Sequence, residues 1–490
     1  MRLKVNAAAG SGKTWSLIAK AAARPRARTL YLAFNRAIKL EAEQKFGGNV
    51  TCATSHGLAY PHFGVPHQAA GLLVPQIRAN EVAEALDLRW GDDFNMHVAG
   101  AVLQALARFL SSDATCFDEA AIARQIVPDS KLEPEVIASL AQTLWTRMCD
   151  PSDSRIGMVH DGYLKLYSLS RPQLPWEVIL FDEYQDANPV TAALIGRQSC
   201  ARVYVGDESQ AIYGFRGAVN AMRNCLADET LYLSKSFRFG QRIADTANAL
   251  LSSFKGARHL VTGTEHKSRI GPFALTEPHM FIARANGTVF DEAARLISSG
   301  HTVDFVGGIE RYRIGEVLDA YNLFAGHKQQ INSPYIKAFR TFDGLDEYAG
   351  VVDDKELKGL VSAVKRHGHA IPDLVSLIRA GSGSDTAGAT IKLATAHKSK
   401  GLEHDSVRLA DDFMPLIGAN GAVRKIDPAE QEEVHAVYVA LTRARHALAP
   451  FPDLQKLLDI DHSRSLQDAR PVWAQPVANR RSGINPLASR

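Results

Sequence analysis

The sequence predicts an α/β protein with two parallel sheets flanked by helices, each sheet interrupted by a mostly helical insertion. Three observations support this prediction. At the start of the chain a short apolar strand leads into a glycine-rich loop and then a helix. Short apolar runs alternate with helical patterns in two separate parts of the chain, which indicates parallel strands joined by crossover helices. One apolar strand ends in adjacent carboxylates, at the end of a parallel sheet where ligands bind.

Length and composition restrict the class of protein. A chain of 490 residues should form about two to four domains, and its 46% apolar and 22% charged residues are typical of globular proteins. The net charge of +3 permits nucleic-acid binding without arguing for it. The five cysteines form no CxxC or Cys/His cluster, so we expect neither disulfides nor a structural zinc. No apolar run reaches the roughly 20 residues of a membrane span, and we expect a protein that is not secreted and has no membrane partner.

The stretch NAAAGSGKT, from Asn6 to Thr14, has the pattern of a phosphate-binding loop. Backbone N–H groups of its turn can point at phosphate oxygens, the lysine adds a full charge, and the threonine hydroxyl suits Mg²⁺. The apolar run from Trp15 to Ala23 predicts the following helix, whose N-terminus favours an anion. Ala7 stands where the strict pattern has glycine, but the side chains around it are small. The order of strand, loop, Lys-Thr and helix favours a phosphate loop over a glycine turn before an ordinary helix.

The first part of the chain then continues the α/β pattern. Two further strands are predicted at 28–34 and 49–54, with a helix between them at 35–46. From about 65 to 174 the pattern becomes mostly helical, and we expect an insertion in the first sheet. Within it, Tyr163 and Tyr167 lie four residues apart, a spacing that fits core packing better than a ligand surface.

A second chemical landmark is the stretch FDEYQD, in which an apolar strand ends at Asp182 and Glu183. Asp182 can bind Mg²⁺ together with Thr14, and Glu183 can polarise a water. Acidic strand ends are common, so this interpretation depends on the phosphate loop. The next strand ends shortly before Gln210, whose amide is placed to sense a terminal phosphate.

A second α/β pattern begins near residue 279. Its strands are predicted at 280–284, 302–307, 390–396 and 406–412. A second helix-rich insertion is expected at about 311–384. The stretch from Glu432 to Arg445 has the spacing of one amphipathic helix, which would include Arg443. The end of the chain, 466–490, is rich in Pro, Asn, Ser and Arg, and we expect it to be disordered.

Several motifs occur in order between residue 3 and about 455: AAAGSGKT, FDEYQD, VGDESQAIYGFRGA, SFRFG, IARAN, TAHKSKGLEHD and YVALTRAR. This ordered set resembles the UvrD/Rep branch of superfamily 1 DNA helicases. HDGYLKL, SFRFG and VGGI are most similar to the helicase core of the eukaryotic F-box DNA helicases. No F-box segment precedes the motor, so a ubiquitin-ligase role is not expected.

The resemblance implies two RecA-like P-loop NTPase domains, with ATP in the cleft between them and single-stranded DNA lying across both. We expect the first motor domain at 1–64 and 175–240, its helical insertion at 65–174, the second motor domain at 241–310 and 385–465, its short insertion at 311–384, and the disordered tail at 466–490. If catalytic groups lie on both sides of the cleft, hydrolysis requires the cleft to close.

The resemblance also implies roles at the nucleotide site. Asp182 would coordinate Mg²⁺ with Thr14, Glu183 would be the catalytic base, and Gln210 would contact the γ-phosphate. The second domain would supply two arginine fingers, typically worth about 10³–10⁵ in rate; for Arg443 the alternative is a surface helix arginine. The two fingers would be Arg238 and Arg443. The phosphate loop would contact the nucleotide through Ala9, Gly10, Ser11, Gly12, Lys13 and Thr14. Phe237 would stack on the base, Glu403 would bind the ribose, and Gly401 would approach the γ-phosphate.

DNA contacts are implied for residues in the same motifs: Phe34, Asn35, Arg36, His56, Tyr213, Phe215, Arg216, Arg284, Asn286, His397 and Lys398. Aromatic rings with nearby cations hold single strands without sequence preference, at about 1–3 kcal/mol per stacked base. Tyr213 and Phe215 fit core aromatics equally well. For His56 and His397 a structural or coupling role is favoured over direct DNA contact.

The function implied is an ATP- and Mg²⁺-dependent 3′→5′ single-stranded-DNA translocase and helicase in DNA repair or recombination. Its substrates would be single strands or 3′-tailed duplexes, with a recombinase filament or another repair protein as a further partner, in the cytoplasm, nucleoid or nucleus. The chain departs from the family in having no glutamine motif that recognises adenine, and Tyr184 and His404 replace Ala and Phe. These departures and the short second insertion keep open an alternative: a DNA-stimulated ATPase switch or accessory subunit without autonomous unwinding.

Overall fold

The computed structural model describes residues 1–89, 92–124, 132–214, 217–256, 260–351, 355–382 and 391–468. Two predicted DNA contacts, Phe215 and Arg216, lie outside the described residues. The predicted disordered tail, 466–490, lies outside the described residues from 469 onward, and its first three residues, 466–468, form the end of a helix rather than a disordered segment. In the described part of the chain, no helix combines the length and the apolarity needed to cross a bilayer.

The strands and helices alternate along most of the chain. The strands are β1 Arg2–Ala7, β2 Thr29–Ala33, β3 Val50–Thr54, β4 Leu73–Val74, β5 Met158–Val159, β6 Val178–Phe181, β7 Ala201–Gly206, β8 Glu229–Leu233, β9 Lys235–Gly240, β10 Thr262–Thr264, β11 Arg269–Ile270, β12 His279–Ala283, β13 Val303–Phe305, β14 Ile391–Thr395, β15 His404–Leu409 and β16 Ala444–Ala449. The helices are α1 Lys13–Ala22, α2 Arg36–Lys45, α3 Ser55–Ala59, α4 Val65–Ala69, α5 Ala79–Ala85, α6 Asp93–Ser111, α7 Glu119–Ala123, α8 Pro134–Cys149, α9 His160–Leu169, α10 Pro189–Gly196, α11 Gln241–Lys255, α12 Asn286–Ser298, α13 Ile314–Phe324, α14 Pro334–Lys337, α15 Phe342–Val351, α16 Lys355–His367, α17 Ile371–Gly381, α18 Ala396–Ser399, α19 Gln431–Leu441 and α20 Pro452–Asp468.

The first sheet has the strand order β3-β2-β6-β7-β1-β8, and its neighbouring strands are parallel. The phosphate loop follows β1, Asp182 follows β6 and Gln210 lies just beyond β7. Because the strands are parallel, these three groups lie along the same edge of the sheet. The predicted α/β fold with a parallel sheet flanked by helices is confirmed here.

The second sheet has the order β11-β16-β15-β12-β14-β13, and it is also parallel. One predicted helix was too long. The helix α19 ends at Leu441, and the chain re-enters the sheet at Ala444, so Arg443 lies in the turn between them. The helix ends because pairing of β16 with β11 and β15 overrides the helical periodicity.

The contacts of β9 bear on where the first domain ends and the second begins. Phe239 of β9 is fully buried in a cluster with Ile282 and Leu448, which both belong to the second sheet. We therefore propose that the boundary lies near Ser234, between β8 and β9, rather than at residue 240. Arg238 then belongs to the second domain, as its predicted role as a finger from that side requires.

Both insertions are mostly helical, as predicted. The stretch from Ser55 to Ala69 is helical throughout, with a π-helical turn at Tyr60–Gly64, so the predicted boundary at residue 64 falls inside a continuous helical segment. Tyr163 and Tyr167 are buried in the core that the first insertion shares with the first sheet. These two rings are therefore core residues, as their spacing favoured.

The two insertions also contact each other. Nη2 of Arg78, at the start of α5, lies 3.7 Å from Oε1 of Glu316 on α13, and its guanidinium lies 5.0 Å from the ring centre of Tyr335. The rings of His97 on α6 and Tyr348 on α15 are stacked, with centroids 6.4 Å apart. The insertions thus connect the two motor domains at a second place besides the cleft.

Candidate nucleotide site between the two domains

The phosphate loop has the backbone that its glycines predict. Gly10 and Gly12 adopt φ values of 72° and 81°, in the left-handed region that glycine tolerates best. A Cβ on Gly10 would fall 2.6 Å from Cβ of Arg238, so the close approach of the second domain also requires glycine there. The Ser11 hydroxyl is buried and has no hydrogen-bond partner among the described residues. A phosphate oxygen bound in the loop would satisfy that hydroxyl.

Glu183 faces the lysine of this loop. Its Oε1 lies 3.5 Å from Nζ of Lys13, and its Oε2 accepts a hydrogen bond of 2.6 Å from Nε2 of Gln185. Burial alone would raise the pKa of Glu183, but the positive charges of Lys13 and Lys400 outweigh burial and lower the pKa to about 2. Its φ of 50° is unusual for a residue with a side chain. The backbone turns here so that the carboxylate stays ionised beside the loop.

Asp182 is buried at the end of β6, with 3% of its surface exposed. Its Oδ1 accepts the N–H of Glu183 at 2.9 Å, and its Oδ2 accepts the hydroxyl of Tyr31 at 2.6 Å. Burial, followed by the negative charge of Glu183, raises the pKa of Asp182 to about 6. A buried carboxylate and the hydroxyl of Thr14, the second residue of α1, are hard oxygen ligands. The donor set therefore fits Mg²⁺.

Arg443 is buried, with 1% of its surface exposed, so the interpretation as a surface helix arginine is wrong. Its Nε donates to the carbonyl of Val439 at 2.8 Å, and its Nη2 lies 3.5 Å from Oε1 of Gln210 on the first domain. Burial, and then the nearby charge of Arg238, lower the pKa of Arg443 to about 9. A buried cation with no carboxylate among its hydrogen-bond partners is suited to receive an anion.

The other predicted finger, Arg238, lies on β9. Its Nε donates to Oε2 of Glu403 at 2.9 Å, and its Nη1 donates to the carbonyl of Thr442 at 3.1 Å. Glu403, predicted to contact the ribose, is thus paired with Arg238 and also lies 3.9 Å from Nε of Arg445. The ring of Phe237 is 64% exposed beside Gly12, which leaves one face open for a base.

Two residues at the cleft were not predicted. Nζ of Lys400 lies 2.5 Å from Oδ2 of Asp186 and 2.6 Å from the carbonyl of Gln210, so one lysine joins the second domain to two parts of the first. Burial raises the pKa of Asp186 to about 7, against the effect of Lys400. Lys400 lies in the motif TAHKSKGLEHD, and Asp186 lies in the motif FDEYQD. Their ion pair joins distant segments across the domain boundary, and neither motif alone reveals it.

A further pair of missed residues supports Gln210. Its Nε2 donates to Oδ2 of Asp207 at 2.7 Å, and the same oxygen accepts the hydroxyl of Tyr438 at 3.2 Å. The N–H of Ala9 in the phosphate loop also points to that hydroxyl, at 3.5 Å. Asp207 and Tyr438 therefore orient the amide of Gln210 with its oxygen toward Arg443.

These groups surround one cavity of about 80 Å³, whose walls include Gly10, Lys13, Glu183, Gln210, Tyr213, Arg238, Lys400, Gly401 and Arg443. The cavity thus lies between groups of both domains, with the phosphate loop on one side and Arg238, Lys400 and Arg443 on the other.

The segment after Gln210 is held by the second domain at successive residues. The carbonyl of Ile212 accepts Nε2 of His397 at 2.8 Å, and the carbonyl of Ala211 accepts Nδ1 of His435 at 2.9 Å. The hydroxyl of Tyr213 points to the carbonyl of His397 at 3.5 Å. Burial lowers the pKa of His397 to about 4, so its ring is neutral near pH 7. This position fits a coupling role better than direct contact with DNA.

The predicted DNA residues of the first domain form one aromatic site. The rings of Phe34 and Tyr213 are stacked, with centroids 5.1 Å apart. Asn35 caps α2 by accepting the N–H of Ile38 at 2.9 Å, so its side chain is used in the fold, while Arg36 is exposed. His56 lies apart from this pair, with Nε2 3.0 Å from Oδ1 of Asp161 on α9.

In the second domain the predicted DNA residues have internal partners. The guanidinium of Arg284 donates two hydrogen bonds, of 2.7 and 2.6 Å, to the carboxylate of Glu433. Nζ of Lys398 donates to Oδ1 of Asn286 at 3.0 Å and to the carbonyl of Arg311 at 2.8 Å. These side chains are ordered before any DNA binds, and the bidentate carboxylate already compensates the charge of Arg284.

A phosphate loop, adjacent carboxylates and arginines from a second parallel-sheet domain together define a two-domain P-loop NTPase. Comparisons with known proteins narrow this class. Residues 165–229 match the UvrD/REP helicase N-terminal domain, and 365–449 match the UvrD-like helicase C-terminal domain. The chain therefore contains a UvrD-like helicase N-terminal domain and a UvrD-like helicase C-terminal domain.

Relatives extend the likeness over most of the chain. It is 31% identical over 490 residues to F-box DNA helicase 1 of Gallus gallus, which covers 93% of this chain and 48% of that protein. It is 32% identical over 505 residues to F-box DNA helicase protein 1 of Schizosaccharomyces pombe, and this match covers 94% of this chain and 56% of that protein. The chain thus spans about half the length of the curated relatives it matches. The match to a solved structure of the PRRSV helicase covers 94% of this chain and 54% of that helicase chain, with 11% sequence identity and a TM-score of 0.33.

Proposed function

We propose that this protein is an ATP- and Mg²⁺-dependent translocase on single-stranded DNA and a DNA helicase with 3′→5′ polarity. The observation that supports this most is the segment from Gln210 to Tyr213. At one end Gln210 lines the same cavity as Gly10 and Lys13 of the phosphate loop and lies 3.5 Å from Arg443, and at the other end Tyr213 stacks on Phe34. The nucleotide site and the predicted DNA site thus share one short segment, as a motor requires.

The chemistry at the first domain follows from charge. Lys13 lies beside Glu183, whose carboxylate is ionised near neutral pH and can orient and polarise the attacking water. Asp182 and Thr14 would hold Mg²⁺, which when bound compensates the charge of the phosphates. Arg238 and Arg443 would compensate the charge that develops on the γ-phosphate, but only when the domains are together.

Coupling to movement follows from the cross-domain hydrogen bonds. Opening of the cleft separates Lys400, His397 and His435 from the backbone of residues 210–212, which they hydrogen-bond in the closed form. The stack of Phe34 and Tyr213 can then rearrange. Closure around ATP restores the bonds, so each cycle changes the single-strand site of the first domain relative to that of the second.

The test is the ATPase rate with and without single-stranded DNA. We expect strong DNA stimulation, which Glu183→Gln removes while nucleotide binding remains. Glu229→Gln, an exposed carboxylate on β8, is the matched control and should behave like the unaltered protein. Absence of DNA-stimulated turnover in the unaltered protein would contradict the motor.

Polarity and unwinding need a separate measurement, because they rest only on the family likeness. We expect strand displacement on a 3′-tailed duplex and none on a 5′-tailed duplex.

The contact between the two insertions, through Arg78 and Glu316 and through His97 and Tyr348, favours one alternative function. If this contact prevents duplex engagement, the chain is a DNA-stimulated ATPase switch or accessory subunit, which hydrolyses ATP on DNA without displacing either strand.

We further propose DNA repair or recombination as the setting, with a recombinase filament as the preferred protein substrate and the DNA-containing compartment as the location. The support is the likeness to the F-box DNA helicases over more than nine-tenths of this chain. Release of a fluorescently labelled recombinase from single-stranded DNA should require ATP and be lost in Glu183→Gln. Release that is independent of hydrolysis would contradict this part of the proposal.

A further inference from the structure

Tyr31 lies outside every motif that predicted the nucleotide site, yet its hydroxyl donates to Oδ2 of Asp182 at 2.6 Å. Both residues are buried. Tyr31 is in the middle of β2, paired in register with Leu180 of β6, two residues before Asp182. Its ring packs against Phe46, with centroids 4.8 Å apart, so the hydroxyl has a fixed position.

The alternation of side chains along parallel strands explains this contact. Asp182 directly follows β6, two residues after Leu180, and its N–H still donates to the carbonyl of Leu32 on β2 at 3.1 Å, so the strand alternation places both side chains on the same face of the sheet. Tyr31 and Leu180 share a buried cluster with Leu17 of α1, the helix that begins at the phosphate loop. The hydroxyl thus approaches Asp182 on the face covered by the helix that carries Thr14.

Two hydrogen bonds fix the orientation of this carboxylate. Oδ1 accepts the N–H of Glu183 and Oδ2 accepts the hydroxyl of Tyr31. Each carboxylate oxygen has two acceptor sites, so both oxygens retain one for a cation. Rotation of the carboxylate would break both bonds. The carboxylate is therefore oriented before any cation arrives.

We propose that Tyr31 is a positioning residue for the divalent cation, and that it favours Mg²⁺ by holding Asp182 in one orientation. The inference rests on the proposed function in one respect, the assignment of Asp182 as a metal ligand. Mg²⁺ demands nearly ideal octahedral geometry and loses its waters reluctantly, so it depends on an oriented ligand more than larger divalent ions do. Hydrogen-bond partners of metal ligands typically change metal affinity about 10–100-fold when they are removed.

The test is Tyr31→Phe, which removes one oxygen and keeps the ring that packs against Phe46. We expect the Mg²⁺ concentration for half-maximal ATPase to rise about tenfold, with a smaller rise for Mn²⁺. At saturating Mg²⁺, the KM for ATP should be unchanged. Mn²⁺ affinity in the presence of a non-hydrolysable ATP analogue, measured by electron paramagnetic resonance, provides a readout that does not require turnover.

Tyr204→Phe is the matched control, because Tyr204 is a buried tyrosine on β7 of the same sheet. An unchanged Mg²⁺ requirement in Tyr31→Phe, or an equal change in Tyr204→Phe, would overturn the proposal. The proposal for Tyr31 and the proposed function of the protein can be refuted independently of each other. Loss of the proposed function would appear as absent DNA-stimulated turnover in the unaltered protein, whereas the resonance measurement still tests Tyr31.

Discussion

The two faces of the cleft differ in how they are built. The first-domain face is local: Lys13 and Thr14 follow one strand directly, and Asp182 and Glu183 follow another strand of the same sheet. The second-domain face combines groups from distant parts of the chain, namely Arg238 on β9, Lys400 beyond α18 and Arg443 between α19 and β16. In the proposed function, one face would therefore bind phosphate by itself, while the other would contribute only when the domains meet.

This difference separates binding from turnover. The first face holds its charges in a single rigid sheet, and Lys13 already has a carboxylate nearby. The second face presents a buried arginine, Arg443, which lies 3.5 Å from the neutral amide of Gln210 on the first domain. Substitution of Lys13 in the first face should affect nucleotide binding, whereas substitutions in the second face should affect turnover and coupling. Four variants break or sharpen this comparison.

The largest effect is expected for Lys13→Ala. Removal of the ammonium group eliminates the charge that compensates the bound phosphates, so both nucleotide binding and ATP hydrolysis should be abolished. Binding of a fluorescent ATP analogue and the ATPase rate measure this, and circular dichroism checks that the fold is retained. Lys20→Ala, an exposed lysine on the same helix, is the control. Hydrolysis that survives in Lys13→Ala would refute the site.

Arg443→Lys should leave nucleotide binding and remove turnover. The guanidinium makes four hydrogen bonds in a buried place, and a lysine cannot reproduce that planar arrangement. We expect kcat to fall about 10³-fold or more with little change in KM. The control is Arg445→Lys, a partly exposed arginine two residues later. Equal loss of binding and turnover in Arg443→Lys would mean that the two faces act together even in binding.

Glu432→Gln tests coupling rather than chemistry. Oε1 of Glu432 accepts the N–H of Gly214 at 3.1 Å, directly after Tyr213. A hydrogen bond to a charged acceptor contributes about 1.5–3 kcal/mol and one to a neutral amide about 0.5–1.5 kcal/mol, so the substitution costs about 1–1.5 kcal/mol. We therefore expect DNA stimulation of the ATPase to fall about tenfold while basal turnover is retained. The ratio of stimulated to basal rate measures this. A parallel loss of both rates would place Glu432 in the nucleotide site instead.

The same contrast explains what the sequence could predict. Residues that belong to a local motif, such as Lys13, Asp182 and Glu183, lie at the predicted edge of the first sheet, because strand order and parallel direction determine that edge; their roles stay predictions. Lys400 and Tyr31 were missed. Their partners, Asp186 and Asp182, come from other segments, and no periodicity or spacing encodes such a contact.

Two further differences between the sequence prediction and the structure also arise from contacts between distant segments of the chain. The helix predicted through Arg445 ends at Leu441, because pairing with distant strands β11 and β15 decides the conformation of Ala444–Ala449. The predicted boundary at residue 240 also followed the motif order along the chain. The burial of Phe239 among residues of the second sheet, which places the crossing earlier, depends on tertiary contacts.

The smallest expected effect concerns His397 and the acid stability of the closed form. Burial lowers the pKa of His397 from its ordinary 6.5 to about 4, so the folded protein keeps the ring neutral while the unfolded chain takes up a proton. The stabilising contribution is complete above pH 6.5 and is lost as the pH falls toward 4. The slope is at most about 1.4 kcal/mol per pH unit for one proton.

His397→Gln can still donate a hydrogen bond to the carbonyl of Ile212 but cannot titrate. Its free energy of unfolding should therefore fall less between pH 6.5 and pH 4.5 than that of the unaltered protein, as measured by urea denaturation at each pH. The exposed His462→Gln is the control and should show the original pH dependence. Identical pH dependence in all three proteins would mean that His397 is accessible to protons in the closed form, and that the second-domain face is hydrated where it meets residues 210–213. In that case the segment would move freely with the cleft closed, and coupling would depend on Lys400 and Glu432 instead.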